Sequence, residues 1–128
     1  MTRHSRTIHP DLELCVTIDG QVIIGPIQAM LLEAIRSTGS ISAAHRKLGI
    51  SYAHVWKMVA AMNATFAPPL VDPIRGGARG GGAILTQQGH TVLNSYRRLE
   101  EQSRDLARTQ LLVIGRAASH GGEMLDDR

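Results

Sequence analysis

Six basic side chains, Arg36, Arg46, Lys47, Lys57, Arg75 and Arg79, fall between residues 36 and 79, and Asp72 is the one acid among them. That window carries a formal charge of +5, whereas the whole chain of 128 residues carries +3, so the remainder is slightly acidic. A basic segment inside a nearly neutral protein suits a surface that faces a polyanion; a merely solvated charged face is the plain alternative. The segment closes on Arg75-Gly-Gly-Ala-Arg-Gly-Gly-Gly82, which lacks the Gly-Lys-Ser/Thr ending of a phosphate-binding P-loop. As the tip of a hairpin the run makes sense: its glycines let backbone lie along a groove while Arg75 and Arg79 meet phosphates. Ser40 and Ser51 each precede an apolar-periodic stretch. Both suit helix N-caps, and a helix N-terminus, with its free N–H groups, can also sit against a phosphate.

Other chemistries find little support. Cys15 is the only cysteine, which excludes an internal disulfide and a cysteine-based zinc site and fits a reducing cytosol. His45 and His54 are too isolated to form a metal pair, since zinc wants three or four clustered ligands. No Ser/His/Asp or paired-carboxylate arrangement points to catalysis, so the expectation is a protein that is not an enzyme and carries no cofactor. No apolar run approaches the ~20 residues that span a bilayer. The first ten residues have Arg3 and Arg6 but no apolar signal-peptide core, so a cytoplasmic location without membrane contact is expected.

The elements that must position these residues follow from periodicity. Leu12, Leu14, Val16 and Ile18 alternate with Glu13, Cys15 and Thr17, the period of a half-buried strand. Asp19-Gly20 signals a hairpin, with Gln21 to Ile24 as the returning strand. Gly25-Pro26 breaks the strand and starts a helix whose apolar stripe is Ile27, Met30, Leu31, Ala34 and Ile35, stopped by Gly39. Ser40 caps a second helix over Ile41 to Leu48, with Ile41, Ala44 and Leu48 inward, and Gly49 closes it. Ser51 caps a third helix to about Phe66, ended by Pro68-Pro69. Leu70-Val71 and Ile84-Leu85 read as short strands joined by the glycine-rich run. Thr86 caps a last helix reaching Leu112 or beyond, roughly 25 residues or ~38 Å. Its stripe of Val92, Tyr96, Leu99 and Leu106 needs a partner, which predicts a homodimer.

Two short helices joined by a tight turn, then strand, glycine-rich loop, strand and helix, make a winged helix-turn-helix. The expected fold is mainly α with small β, with an N-terminal β-hairpin and a long C-terminal dimerisation helix. Residues 1–10 and 115–128 are expected as flexible tails around a DNA-binding domain over 11–114. On the third helix Val55, Val59, Met62 and Phe66 share the core face, which turns Ala53, Lys57, Ala60 and Ala64 outward with His54 on one flank. Small alanines let a helix approach the floor of the major groove; Lys57 can reach a phosphate or a guanine, and Ala53 a thymine methyl. Arg46 on the second helix joins the candidate contacts by its charge. Trp56 is expected in the core, and Tyr52 is balanced between packing and phosphate contact. The alternative is a winged-helix module that docks protein, or a partner-dependent regulator without base readout. Docking protein would need an apolar outward face, and Ala53, Lys57 and Ala60 offer little of one.

The run Gly39-Ser-Ile-Ser-Ala-Ala-His-Arg-Lys-Leu-Gly-Ile-Ser-Tyr52, followed by Trp56, Met62-Asn63, Leu70-Val71, Gly76-Gly77, Gly80-Gly-Gly-Ala83, Leu85-Thr86 and Gly89, resembles the N-terminal DNA-binding domain of the ModE family of molybdate-responsive regulators. The resemblance covers about Leu12 to Leu106 and includes a looser likeness to LysR-type helix-turn-helix proteins. It implies a winged-helix transcription factor, dimeric through its terminal elements, on a palindromic operator. It also implies that Ser40, Ser42, Ser51 and Tyr52 lie near DNA. ModE proteins hold their oxyanion in C-terminal domains beyond the DNA-binding unit. Since this sequence stops soon after the last helix, molybdate binding by it is not expected.

Overall fold

In a computed structural model of the protein, residues 9–74 and 82–126 are described, with side chains over 9–73 and 82–118. Asp19 and Gly20 both take positive φ, 51° and 80°, as a two-residue type I′ turn demands. They join β1 (Val16–Ile18) to an antiparallel β2 (Gln21–Ile24). The strand starts later than the alternation from Leu12 suggests, and its register slips between Val16 and Thr17. Such an irregularity changes which face the following residues present: Leu12, Leu14 and Val16 are half-buried, whereas Ile18 is exposed.

The chain divides into two compact units, one of Leu14–Arg98 and one of Met1–Glu13 with Leu99–Arg128. In the first, α1 (Pro26–Thr38) begins at proline and ends at Gly39, whose φ of 68° only glycine adopts without strain. Its inward face is Ala29, Leu31, Leu32, Ala34 and Ile35, while Ile27 and Met30 stay almost half exposed at 45% and 46%. The buried face is therefore rotated from the stripe the spacing predicts. Apolar residues run around most of this helix, so periodicity alone could not choose the side against which α2, β2 and β4 pack. α2 (Ile41–Leu48) and α3 (Tyr52–Thr65) complete the helix-turn-helix, and β3 (Val71–Ile74) pairs antiparallel with β4 (Gly82–Leu85). Both strands are longer than Leu70-Val71 and Ile84-Leu85 predict. Pro73 pairs with Ala83 inside the ladder, which a two-stranded sheet tolerates because every strand has an edge free of partners. The Gly39 carbonyl accepts from Ala83 N–H at 3.1 Å, and Ser40 bridges Gly82, so the α1–α2 connection is tied to the wing strand.

The core is aliphatic, as the scarcity of aromatic residues requires: Leu31, Leu32, Ile35, Ile41, Val55, Val59, Leu70, Val71 and Leu93 are all completely or almost completely buried. Each such side chain contributes about 1.5–3 kcal/mol relative to exposure. β3 is held at its base by polar contacts. Asn63, near the C-terminus of α3, accepts from Leu70 N–H (3.0 Å) and Val71 N–H (3.1 Å) through Oδ1 and donates through Nδ2 to Val71 O (2.9 Å). From the other side Thr86 donates its N–H to Leu70 O (2.9 Å) and its hydroxyl to Pro69 O (2.6 Å). The same Thr86 Oγ1 accepts from Gly89 N–H at 3.0 Å, capping α4 (Gln87–Asp126). From this cap α4 is helical to Asp126.

In the second unit Arg104 on α4 donates to Asp11 Oδ1 at 2.9 Å and lies 3.7 Å from Glu100. The Leu12 N–H and the Arg104 guanidinium hold the Asp11 carboxyl below its ordinary value.

A Cβ at Gly89 would stand 2.2 Å from Leu70 O, a backbone atom that Thr86 already holds in a residue whose N–H Asn63 holds from the other side. Helix propensity alone favours Gly89→Ala by about 1 kcal/mol. The clash should outweigh it, with a net loss of about 1–3 kcal/mol in denaturant unfolding. Asn63→Ala, which strips partners from three part-buried backbone groups, should cost a similar amount. Unchanged midpoints in both variants would contradict this account of the strand base.

Candidate nucleic-acid interface

The turn between α2 and α3 is built from backbone geometry. Gly49 takes φ 69° and donates toward Arg46 O, and Ile50 N–H donates to His45 O at 3.2 Å. The His45 ring closes the loop from the other direction, its Nδ1 lying 3.1 Å from Ile50 O. A carbonyl only accepts, so Nδ1 carries the proton. The ring also meets Tyr52 edge-on at 5.5 Å between centroids, and Tyr52 meets Trp56 edge-on at 6.2 Å. Trp56 is half-buried against the core, and Tyr52 is exposed. Neither the His45 contact with Ile50 nor its packing on Tyr52 could be read from spacing, since both depend on how the turn folds back.

Ser40 and Ser51 are N-caps, their Oγ atoms accepting from Ala43 N–H at 3.0 Å and His54 N–H at 3.1 Å. As acceptors in these bonds, both hydroxyls keep a hydrogen to donate. On α3, Val55, Val59 and Met62 are buried and Phe66 is half-buried, leaving Ala53, His54, Lys57, Ala60 and Ala64 exposed. On α2, Arg46 is exposed and donates to Ser42 Oγ at 3.2 Å, so these two candidates stand together on one helix face. Lys47, absent from the expected contacts, reaches Ser37 Oγ on α1 at 3.3 Å. Arg75 and Arg79 lie outside the described residues.

The four stripe residues of the last helix have different surroundings. Val92 is half-buried against the core of the Leu14–Arg98 unit, and Tyr96 is 3% exposed with its hydroxyl donating to Leu14 O at 2.7 Å. Both therefore have their packing partners within their own chain. In the other unit Leu99 and Leu106 are exposed, together with Leu112, Val113 and Ile114.

Residues 28–90, from α1 to the first turn of α4, match the family described as bacterial regulatory helix-turn-helix proteins of the LysR family. The molybdenum-pterin-binding protein MopB of Rhodobacter capsulatus is 46% identical over 77 residues, which are 60% of this chain and 28% of MopB. The molybdenum transport protein ModE of Azotobacter vinelandii is 41% identical over 70 residues, 55% of this chain and 26% of that one. The chain carries a winged helix-turn-helix domain related to those of the ModE and Mop proteins. The DNA-binding transcriptional dual regulator ModE of Escherichia coli K12 is 33% identical over 86 residues, 67% of this chain and 33% of the relative. The matched part thus spans about a third or less of these ModE-related proteins. The matching family is regulatory rather than enzymatic. Among the described residues, no group of three or more His, Cys, Asp or Glu side chains could hold a metal ion, and no helix is long and apolar enough to cross a membrane.

Because Ser51 caps α3, Ser51→Ala should lower stability by about 1 kcal/mol, whereas Ser51→Asp, an equally good cap, should stay close to the parent. Thermal unfolding of the two variants distinguishes a cap from a bystander: equal losses, or none, would exclude the capping role.

Proposed function

We propose that the chain binds double-stranded DNA as a sequence-specific transcriptional regulator of the ModE type, acting in the cytoplasm, with residues 11–114 as the working unit. α3 lies in the major groove, and the glycine-rich segment 75–83 runs on the backbone or in the minor groove through Arg75 and Arg79. The observation that carries this reading is the outward face of α3, where one exposed cation, Lys57, stands among exposed Ala53, Ala60 and Ala64. Such a face lets the helix axis approach base edges closely while leaving one long donor to reach a guanine or phosphate. Ser40, Ser42, Arg46, Ser51, Tyr52 and His54 surround it and supply hydroxyl, guanidinium and ring donors for phosphates. The capped N-termini of α2 and α3 add backbone N–H groups and the positive ends of their dipoles. The E. coli relative, named a DNA-binding regulator, supports the same reading.

The chain acts as a homodimer on a palindromic site, with Leu99 and Leu106 of α4 as the contact. Two recognition helices about 34 Å apart would read half-sites one turn apart, or a multiple of it. Val92 and Tyr96, both packed within their own chain, contribute by holding the first turns of α4 to the domain.

Lys57→Ala should weaken binding to the preferred site by about 1–3 kcal/mol, and Arg79→Ala should weaken all sequences about equally. Ser51→Asp should keep its fold yet lose affinity by bringing a carboxylate against a phosphate. With roughly six to eight phosphates neutralised per dimer, log K against log salt should slope at about −5 to −7. Fluorescence anisotropy with duplexes selected from random DNA measures all of these, and binding insensitive to the substitutions and to salt would overturn the reading. Sedimentation of a monomer at micromolar concentration, with and without DNA, would overturn the dimer.

The residues of this chain that a family model matches, 28–90, are those of a helix-turn-helix. The DNA affinity of the chain is therefore expected to be unchanged by millimolar molybdate or tungstate in the same assay. A tenfold change, about 1.4 kcal/mol of coupling, would reveal an oxyanion site within it.

A further inference from the structure

His45 lies outside the set of residues offered to DNA, yet it makes two hydrogen bonds and a ring contact across the α2–α3 turn. Its backbone carbonyl accepts from Ile50 N–H at 3.2 Å, and its Nδ1 donates to Ile50 O at 3.1 Å. These two bonds run in opposite directions between the same two residues and enclose Gly49, the glycine at φ 69°. Ile50 immediately precedes the N-cap Ser51, so the imidazole fixes the peptide from which the recognition helix starts. The ring then packs edge-on to Tyr52 at 5.5 Å, and Tyr52 packs edge-on to Trp56 at 6.2 Å, which is anchored on the core. Tyr52 is thus held from both sides although it is 41% exposed and sits in the first turn of α3. A phenol left free at a helix start would lose rotamer freedom on binding; one already braced by two rings has less to lose.

We propose that His45 is a positioning residue for recognition: it ties α2 to the start of α3 and braces Tyr52 for contact with DNA, so that sequence discrimination depends on it. The inference rests on the DNA-binding reading above. Removing the ring frees both the Ile50 carbonyl and one side of Tyr52, which loosens the geometry on which base contacts depend. Phosphate contacts, made by long flexible side chains and tolerant of small shifts, suffer less. His45 therefore acts through Tyr52.

The test is the ratio of affinities for the selected duplex and for a scrambled one, measured for the full chain and for His45→Ala, His45→Asn, Tyr52→Leu and the double variant His45→Ala/Tyr52→Leu. His45→Ala should lower the ratio about tenfold, the effect of one mismatched base pair. His45→Asn, whose amide can still donate to Ile50 O, should recover part of it. In the Tyr52→Leu background the loss on removing His45 should shrink to less than about threefold, the non-additivity expected of residues that act as a unit. Should His45→Ala not fold, His45→Asn and Tyr52→Leu carry the comparison, together with the 15N spectrum of the unmodified protein, where neutral His45 should be protonated on Nδ1. An unchanged ratio, an equal loss in both Tyr52 backgrounds, or a neutral His45 protonated on Nε2 would overturn the proposal. Failure of the unmodified chain to prefer the selected duplex would instead overturn the DNA-binding reading on which it stands.

Discussion

The peptide groups around Leu70 are the joint on which the described architecture turns. Leu70 N–H is held by Asn63 from α3, its carbonyl by Thr86 at the start of α4, and its side chain is fully buried. Three elements meet there: the end of α3, the base of the β3–β4 hairpin and the cap of the last helix. A two-stranded hairpin is marginal by itself, so the wing owes its direction to these bonds and to the tie between Ala83 and Gly39. Gly89 completes the joint by leaving Leu70 O room that a Cβ would occupy. The orientation of β3 and β4 relative to α3 is set here.

The two faces of α3 are set apart by contrasts in side-chain size. Valines and Met62 anchor α3 in an aliphatic core, and the opposite face carries alanines and one lysine. Packing fixes the rotation of the helix, and that rotation decides which residues face outward. Short polar side chains work locally: Ser40 and Ser51 satisfy helix N-termini and keep a hydroxyl hydrogen to donate. Arg46 leans on Ser42 and Lys47 on Ser37, each by a hydrogen bond between side chains at the surface, whereas Arg36 is shared between Asn94 and the Glu33 carboxylate. The bonds to serine contribute little to stability, and they leave Arg46 and Lys47 within reach of solvent and of any polyanion it carries.

The last helix serves different purposes along its length. Leu93 and Tyr96 close the core of the Leu14–Arg98 unit, and beyond them exposed Leu99, Leu106, Leu112, Val113 and Ile114 offer apolar surface. Single exposed apolar residues are ordinary on protein surfaces; recurrence along one helix is what makes them a candidate interface. The same helix is bound by Asp11 through Arg104, an exposed pair that adds little by itself.

The sequence by itself determined the elements, because their signals are local. Asp19-Gly20, Gly39, Ser40, Gly49, Ser51 and Thr86 stand at turns and caps whose chemistry involves residues only a few positions away, and the period of Val55, Val59 and Met62 picked the buried face of α3. Tertiary structure alone decided the inward face of α1, where apolar residues surround the helix and only the neighbours break the tie. It also decided the late start and slipped register of β1, the polar clamp of Asn63 on β3, and the closure of the turn by the His45 ring. It turned Tyr96 inward through a bond to a carbonyl 82 positions earlier. Each of these depends on a partner brought near by folding, and a side chain that could satisfy either water or a distant backbone group carries no mark of which it will meet.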